Sequence, residues 1–174
     1  MKLAGLAIAA FLIVIAAPAP GQVSQSSRQG WRLTPNGIGP VRIGMTRAQV
    51  ESILGEPVTG DELTEGCLET VAEGLNGIGF MFEEDRLTRV SLGSPSRLTT
   101  PRGIGVGATE AQVRQAYGSG LDSEPHHYVG LPAKYLTFWL SRGRSGVRFE
   151  TDSAGRVETI HAGTDSIEYV EGCL

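Results

Sequence analysis

The same eleven-residue arrangement occurs twice in this chain, and it constrains the fold more than any other feature. Met45-Thr46-Arg47-Ala48-Gln49-Val50-Glu51-Ser52-Ile53-Leu54-Gly55 is matched by Ala108-Thr109-Glu110-Ala111-Gln112-Val113-Arg114-Gln115-Ala116-Tyr117-Gly118. In both, a threonine stands three residues before a glutamine. Its hydroxyl can accept from an unpaired amide of the first helical turn while the glutamine reaches back, which is a capping box. The residue before each cap, Met45 or Ala108, is spaced to meet Val50 or Val113 as a hydrophobic staple. A glycine then stands where a short helix ends in a left-handed residue. Each copy therefore predicts one helix of roughly two turns. In the first, Val50, Ile53 and Leu54 form one narrow apolar face, so the helix must pack on a sheet to be stable.

The segments after each helix predict that sheet. In the first copy Cys67 to Val71 precedes an Asn76-Gly77 turn signal; Ile78, Phe80 and Phe82 then alternate with Gly79, Met81 and Glu83. Glu84-Asp85 turns the chain into Leu87 to Leu92, with Val90 and Leu92 inward. In the second copy Tyr135 to Leu140, Val147 to Glu150 and Val157 to Ala162 play the same parts, and Gly146-Val147-Arg148-Phe149-Glu150 aligns with Gly79-Phe80-Met81-Phe82-Glu83. Glu56 to Gly66 and the insert from Ser119 to Lys134 read as loops, and Trp31 to Gly44 as a Gly- and Pro-rich approach with a short extended piece at Val41 to Ile43. The expected fold class is α+β: two fused repeats, each a short helix packed on one face of an antiparallel β-sheet. The boundaries are a signal peptide at 1–21, a disordered leader at 22–30, repeat 1 at 31–93, a linker at 94–101 and repeat 2 at 102–174.

The amino terminus and the cysteines indicate a compartment. Lys2 precedes an uncharged run from Leu3 to Ala17 and then Pro18-Ala19-Pro20-Gly21, the parts of a secretory signal. That run of roughly 15 apolar residues is short of the ~20 that span a bilayer. The mature protein is expected to be periplasmic or secreted, with no membrane anchor after cleavage. Loss of Lys2 takes the formal net charge from -4 to -5, which argues against nonspecific nucleic-acid binding. Cys67 and Cys173 are the two cysteines, without CxxC spacing, and in an oxidising compartment read as one disulfide, the alternative being two free thiols.

Ile43-Gly44-Met45-Thr46, followed by Gln49-Val50 and Leu54-Gly55-Glu56-Pro57, resembles the module of the SmpA/OmlA outer-membrane assembly lipoproteins. It is also similar to the β-lactamase inhibitory proteins, which carry such a module twice. The resemblance covers about 15 residues of the first repeat, with Val106-Gly107-Ala108-Thr109 a weaker counterpart in the second. It implies an exported α+β module used for binding rather than catalysis. The chain departs from both in having no lipid-attachment cysteine, one cysteine pair and one clear helix per repeat, so no partner is carried over.

Chemical motifs are sparse. Gly103-x-Gly105-x-Gly107 lacks the GxGxxG spacing of a phosphate loop, and Gly143-Arg144-Ser145-Gly146 is one residue short of a nucleophile elbow. His126, His127 and His161 have no HxH or HExxH spacing, so no metal, cofactor or catalytic residue is assigned. Strand alternation offers more. With Phe80, Phe82, Val90, Leu136, Phe138, Val147, Phe149 and Ile160 inward, it places Met81, Arg89, Tyr135, Thr137, Trp139, Arg148, Glu150 and His161 on the face away from the helices. Trp, Tyr, Met and Arg are enriched at interfaces. The expectation is a noncatalytic binding protein, inhibitor-like or envelope-assembly-like. It would engage a protein partner in the cell envelope through an open sheet face and the adjoining loop, with Met81, Arg89, His126, Tyr128, Tyr135, Trp139, Arg148 and His161 as contact candidates. The alternative is a small-ligand or glycan module in which Trp139 and Tyr135 stack on sugar rings. A covering of this face by the linker or the His126 loop would remove it from use.

Overall fold

The computed structural model describes residue 28 and residues 30–60, 62–72 and 74–174, with the side chains of Glu62 and Leu63 excepted. The signal-peptide reading and most of the leader lie outside the described residues. Arg28, assigned to the leader from sequence, donates to the Gly74 carbonyl at 2.7 Å and to Glu56 at 2.9 Å, so contacts with the fold begin before Trp31.

The fold is α+β, dominated by antiparallel sheet with two short helices. β1 (Leu33–Thr34), β2 (Gly37–Ile38) and β3 (Val41–Arg42) form a small three-stranded sheet. The large sheet is built from β4 (Val58–Thr59), β5 (Glu62–Thr64), β6 (Cys67–Ala72), β7 (Ile78–Glu83), β8 (Arg86–Leu92), β9 (Leu121–Pro125), β10 (Lys134–Ser141), β11 (Ser145–Thr151) and β12 (Val157–Gly163). Its order is β4-β6-β7-β8-β12-β11-β10-β9, with β5 also on β6. Every pairing within it is antiparallel, including the central β8–β12 contact that joins the two halves of the chain.

Both helices form where the caps direct them. α1 (Arg47–Leu54) and α2 (Glu110–Tyr117) each start from a complete capping box, on Thr46 with Gln49 and on Thr109 with Gln112. Gly55 ends α1 in the left-handed region at φ 73°. Each helix is docked by matched backbone hydrogen bonds just upstream. Gly44 donates to Leu87 at 2.7 Å and Leu87 to Met45 at 2.8 Å; Gly107 donates to Val157 at 2.8 Å and Val157 to Ala108 at 2.7 Å. Val50, Leu54, Val113 and Tyr117 are buried in one cluster with Phe80, Phe82, Val90, Leu92, Leu136, Val147, Phe149 and Ile160. The Tyr117 ring lies 5.3 Å from Phe138 and 5.0 Å from Phe149. This is the inner face, and its membership follows the alternation read from sequence.

Three expectations are corrected. Glu56 to Gly66 contains β4 and β5, and the Ser119–Lys134 insert contains the edge strand β9. The alignment of Gly146–Glu150 with Gly79–Glu83 is displaced by two residues. Relative to the matched Leu87 and Val157 bonds, Phe80 opposite Val90 corresponds to Phe149 opposite Ile160. A shift of two keeps every side chain on its face, so the burial pattern gave no warning of it.

Candidate functional site

The outer face is assembled from two rows of side chains running across the strands. One row is Val71, Gly79, Ser91, His161, Arg148 and Thr137; the other is Glu69, Met81, Arg89, Gly163, Gly146 and Trp139. Six of the eight contact candidates therefore do share the face that alternation assigned to them: Met81, Arg89, Tyr135, Trp139, Arg148 and His161. The face is not open. Met81 is 1% exposed, Arg89 4% and Arg148 3%, and Tyr135 and His161 are buried as well.

The chain's own carboxyl terminus covers it, a possibility weighed in sequence only for the linker and the His126 loop. After β12 the backbone makes a 3₁₀ turn at Asp165–Glu168 and runs on as a strap to Leu174. Ile167 is buried on Gly146, where a β-carbon would come within 2.9 Å of its Cδ1 and 2.6 Å of the Trp139 ring. Arg89 donates to the carbonyls of Ser166 at 2.9 Å and Tyr169 at 3.2 Å, and pairs with Glu69, against which Gly172 packs. Met81 lies between Arg89 and Glu69 in the sheet, so the strap passes over it. The Tyr169 hydroxyl donates to Glu83 at 3.2 Å. The end of the strap is covalently fixed: Cys67 and Cys173 are joined, with their Cα atoms 5.6 Å apart.

Arg148 ties the other half of the face together. Its guanidinium lies 4.0 Å from the Tyr135 ring centroid, 3.6 Å from Glu124 of β9 and 3.8 Å from Glu168 of the strap. His126 stacks on the Tyr135 ring, with the centroids 4.5 Å apart. Trp139 is half-buried beneath Ile167, and its indole N–H has no partner. Of the contact candidates only Tyr128 is well exposed, at 61%, and its hydroxyl donates to Glu171 of the strap.

One strip of the outer face escapes the strap and forms a cleft of about 460 Å³ with Glu69, Val71, Gly79, Arg89, Ser91 and His161 on its walls and floor. Within it the Ser91 hydroxyl lies 2.7 Å from His161 Nδ1, and His161 Nε2 faces Glu150 at 3.6 Å. Burial lowers the pKa of His161, outweighing the support from Glu150, and Arg89 and Arg148 lower it further. The imidazole is thus neutral near pH 7. Burial would raise the Glu150 carboxyl, but His161 and Arg148 hold it below the usual range. Ser91 and His161 Nδ1 share one hydrogen bond, whose direction is set by which ring nitrogen carries the proton. This resembles a nucleophile, base and carboxylate in series, but two parts differ from a catalytic arrangement. Glu150 is beyond hydrogen-bond length, and Ser91 lies in mid-strand between Gly79 and His161, where the backbone amides are committed to the sheet rather than free to hold an oxyanion.

The three histidines do not converge, and among the described residues no group of three or more His, Cys, Asp or Glu side chains is arranged to hold a metal. Sequence reasoning missed Ser91 and Glu69 because a serine and a glutamate in alternating strands carry no motif. Their place in the register was the available signal. No helix among the described residues is long and apolar enough to cross a membrane. Comparison of the chain with protein families, with curated proteins and with solved structures finds no match.

Proposed function

We propose that this is an exported, noncatalytic binding protein of the cell envelope, inhibitor-like or assembly-like, built from a duplicated helix-and-sheet module. The binding surface is the ridge where the 126–133 loop meets the carboxyl-terminal strap. The observation that carries this reading is the exposure there of large apolar side chains: Tyr128 at 61%, Leu131 at 72% and Leu174 at 81%, with Val129, Tyr169 and Val170 also exposed. Tyr128 and Glu171 bond across the join, so loop and strap present one surface. Exposed apolar groups clustered in this way mark interaction sites more often than isolated ones do.

The matched docking bonds of the two helices support duplication. So does the central register: Leu92 with Ile160, Ser91 with His161 and Val90 with Ala162 map onto themselves when each half is exchanged for the other. The disulfide and the amino-terminal sequence support export. The commitment of the amides around Ser91 supports the absence of acyl-transfer chemistry. A small-ligand role, the second reading, is favoured by the cleft beside Ser91. Its glycan form loses ground, since Trp139 and Tyr135 lie under other groups rather than along a groove.

The test is affinity capture from an envelope extract by the disulfide-bonded protein and by a Tyr128→Ser, Leu131→Ser variant with an unchanged melting temperature. A partner retained by the native protein and lost by the variant is expected. Recovery of the same proteins by both forms would sink the reading.

A further inference from the structure

We propose that Asn76 is a site of spontaneous covalent modification: the Gly77 backbone nitrogen closes on the Asn76 side-chain amide, and the residue becomes aspartate or isoaspartate with release of ammonia. The site is separate from the Tyr128 and Leu131 surface, and neither depends on the other.

The two asparagines of the chain, Asn36 and Asn76, stand in the same tetrapeptide, Asn-Gly-Ile-Gly. Their local chemistry is therefore matched, since in both the following residue has no β-carbon to shield its nitrogen. The fold treats them differently.

Asn36 is pinned. Ser145 Oγ donates to its Oδ1 at 2.7 Å, its carbonyl accepts from the Ile43 amide at 3.1 Å, and Gly37 is buried and paired with Thr34 in the β1–β2 ladder. Swinging Asn36 Cγ onto the Gly37 nitrogen would break these bonds. Asn76 is exposed in the turn between β6 and β7, which is closed by the Ile78 amide donating to the Leu75 carbonyl at 2.9 Å. Among the described residues its side chain has no hydrogen-bond partner, and the Gly77 amide has no acceptor. The attacking nitrogen and the attacked amide are both uncommitted, and a short exposed turn opens locally without unfolding the sheet.

Glycine at 77 is itself demanded by the fold. Its φ is 74°, and a β-carbon there would lie 2.3 Å from the Gly93 carbonyl and 2.7 Å from the Ser96 nitrogen. The packing of this turn against residues 93–96 thus installs the reactive pair.

The reaction needs only the chain and water. The deprotonated Gly77 nitrogen bonds to Asn76 Cγ, the Cγ–Nδ2 bond breaks, and Nδ2 takes up a proton and leaves as ammonia. Water then opens the cyclic imide. Cleavage of the new Cγ–N bond gives aspartate; cleavage at the main-chain carbonyl gives isoaspartate, whose backbone runs through Cγ. Either product puts a carboxylate where an amide was. Asn76 shares a cavity of about 330 Å³ with Arg28, Ser96 and Arg97. Arg28 is paired with Glu56, whereas Arg97 has no ion pair among the described residues. The new carboxylate falls beside that uncompensated guanidinium, so the charge of this patch changes with the age of the molecule.

The disulfide-bonded protein is held in mildly alkaline buffer, sampled over time and digested. Peptide mass spectrometry follows the mass gain of amide hydrolysis at each asparagine, and an L-isoaspartyl methyltransferase marks isoaspartate. In the folded protein Asn76 should convert at least about tenfold faster than Asn36, as expected when the bonds holding Asn36 must be broken first. In guanidinium chloride the two should convert at comparable rates, because the tetrapeptide is the same. Asn76→Ser should remove the isoaspartate signal from the folded protein. Equal rates at the two asparagines in the folded protein, the same difference between them in the unfolded chain, or an intact Asn76 over a period in which the unfolded chain is converted would overturn the proposal.

Discussion

Replacing Cys67 and Cys173 by serine tests how the strap is held. The bond joins residues separated by 106 positions. On the chain-entropy relation, a closed loop of that length lowers the entropy of the unfolded chain by about 16 cal/mol/K, or ~5 kcal/mol at 25 °C. Two features of the fold bear on how much of this is realised. The strap has other attachments on either side of Met81, through Arg89 to Ser166 and Tyr169 and through Tyr169 to Glu83, so the native face can remain covered when the bond is absent. The disulfide also links β6, at one side of the sheet, to a segment lying over β8 and β11, so its loss relaxes the unfolded chain more than the native one. A loss of ~3 to 5 kcal/mol is expected, with a fall in melting temperature on the order of 10 °C. Urea unfolding of the oxidised protein and the double variant, followed by tryptophan fluorescence and far-ultraviolet circular dichroism, measures it. The oxidised protein should also show no titratable thiol before unfolding. A loss below about 1 kcal/mol at unchanged m-value would refute the reasoning, because the bond would then constrain little of the unfolded ensemble.

Other perturbations reach different parts of the account. Thr46→Ala and Thr109→Ala each remove a complete capping box and should each cost ~1 kcal/mol, read from urea midpoints. Gly146→Ala forces a β-carbon against Trp139 and Ile167 and should cost ~1 to 3 kcal/mol, whereas Gly79→Ala should be neutral or stabilising by up to ~1 kcal/mol; equal costs would contradict the placement of the strap. The folded pKa of His161 is depressed by burial, so the unfolded chain takes up its proton first as pH falls through about 6.5. Its contribution is therefore present above that pH and lost below it, with a slope of at most about 1.4 kcal/mol per pH unit. In His161→Asn the stability profile between pH 7 and 5 should be flatter; an unchanged slope there would show that the imidazole is not buried in its neutral form.

Much of the inner half of the molecule was legible because its signals are local. Thr46, Gln49 and Gly55 specify one helix among themselves, and the alternation of Phe80, Phe82, Leu136 and Phe149 needs only a strand and a core. Alternation also put Met81, Arg89, Arg148 and His161 on the outer face. What it could not supply was what lies above them. Ser166-Ile167-Glu168-Tyr169-Val170 has neither helical nor strand period over a useful length, and its position depends on a glycine at 146, a guanidinium at 89 and a cysteine at 67, each far away in sequence. β9 was missed for a related reason. Leu121-Asp122-Ser123-Glu124-Pro125 is an exposed edge strand with little to bury, held by pairing with β10 and by the reach of Arg148 to Glu124. The cleft depended on the same long-range register, since Gly79, Ser91 and His161 come together only through β7, β8 and β12.

The chain's own carboxyl terminus closes the outer face of the sheet. Methionine oxidation reads this most directly, because Met81 lies under the strap at 1% exposure while Met45 is half-buried against the helix-side core. In the disulfide-bonded protein exposed to hydrogen peroxide, peptide mass spectrometry should find Met81 oxidised at least about tenfold more slowly than Met45, as expected for a thioether shielded from solvent. A chain ending at Thr164 should lose that protection. Oxidation of Met81 at the rate of Met45 in the intact protein, or equal protection with the strap removed, would contradict the account.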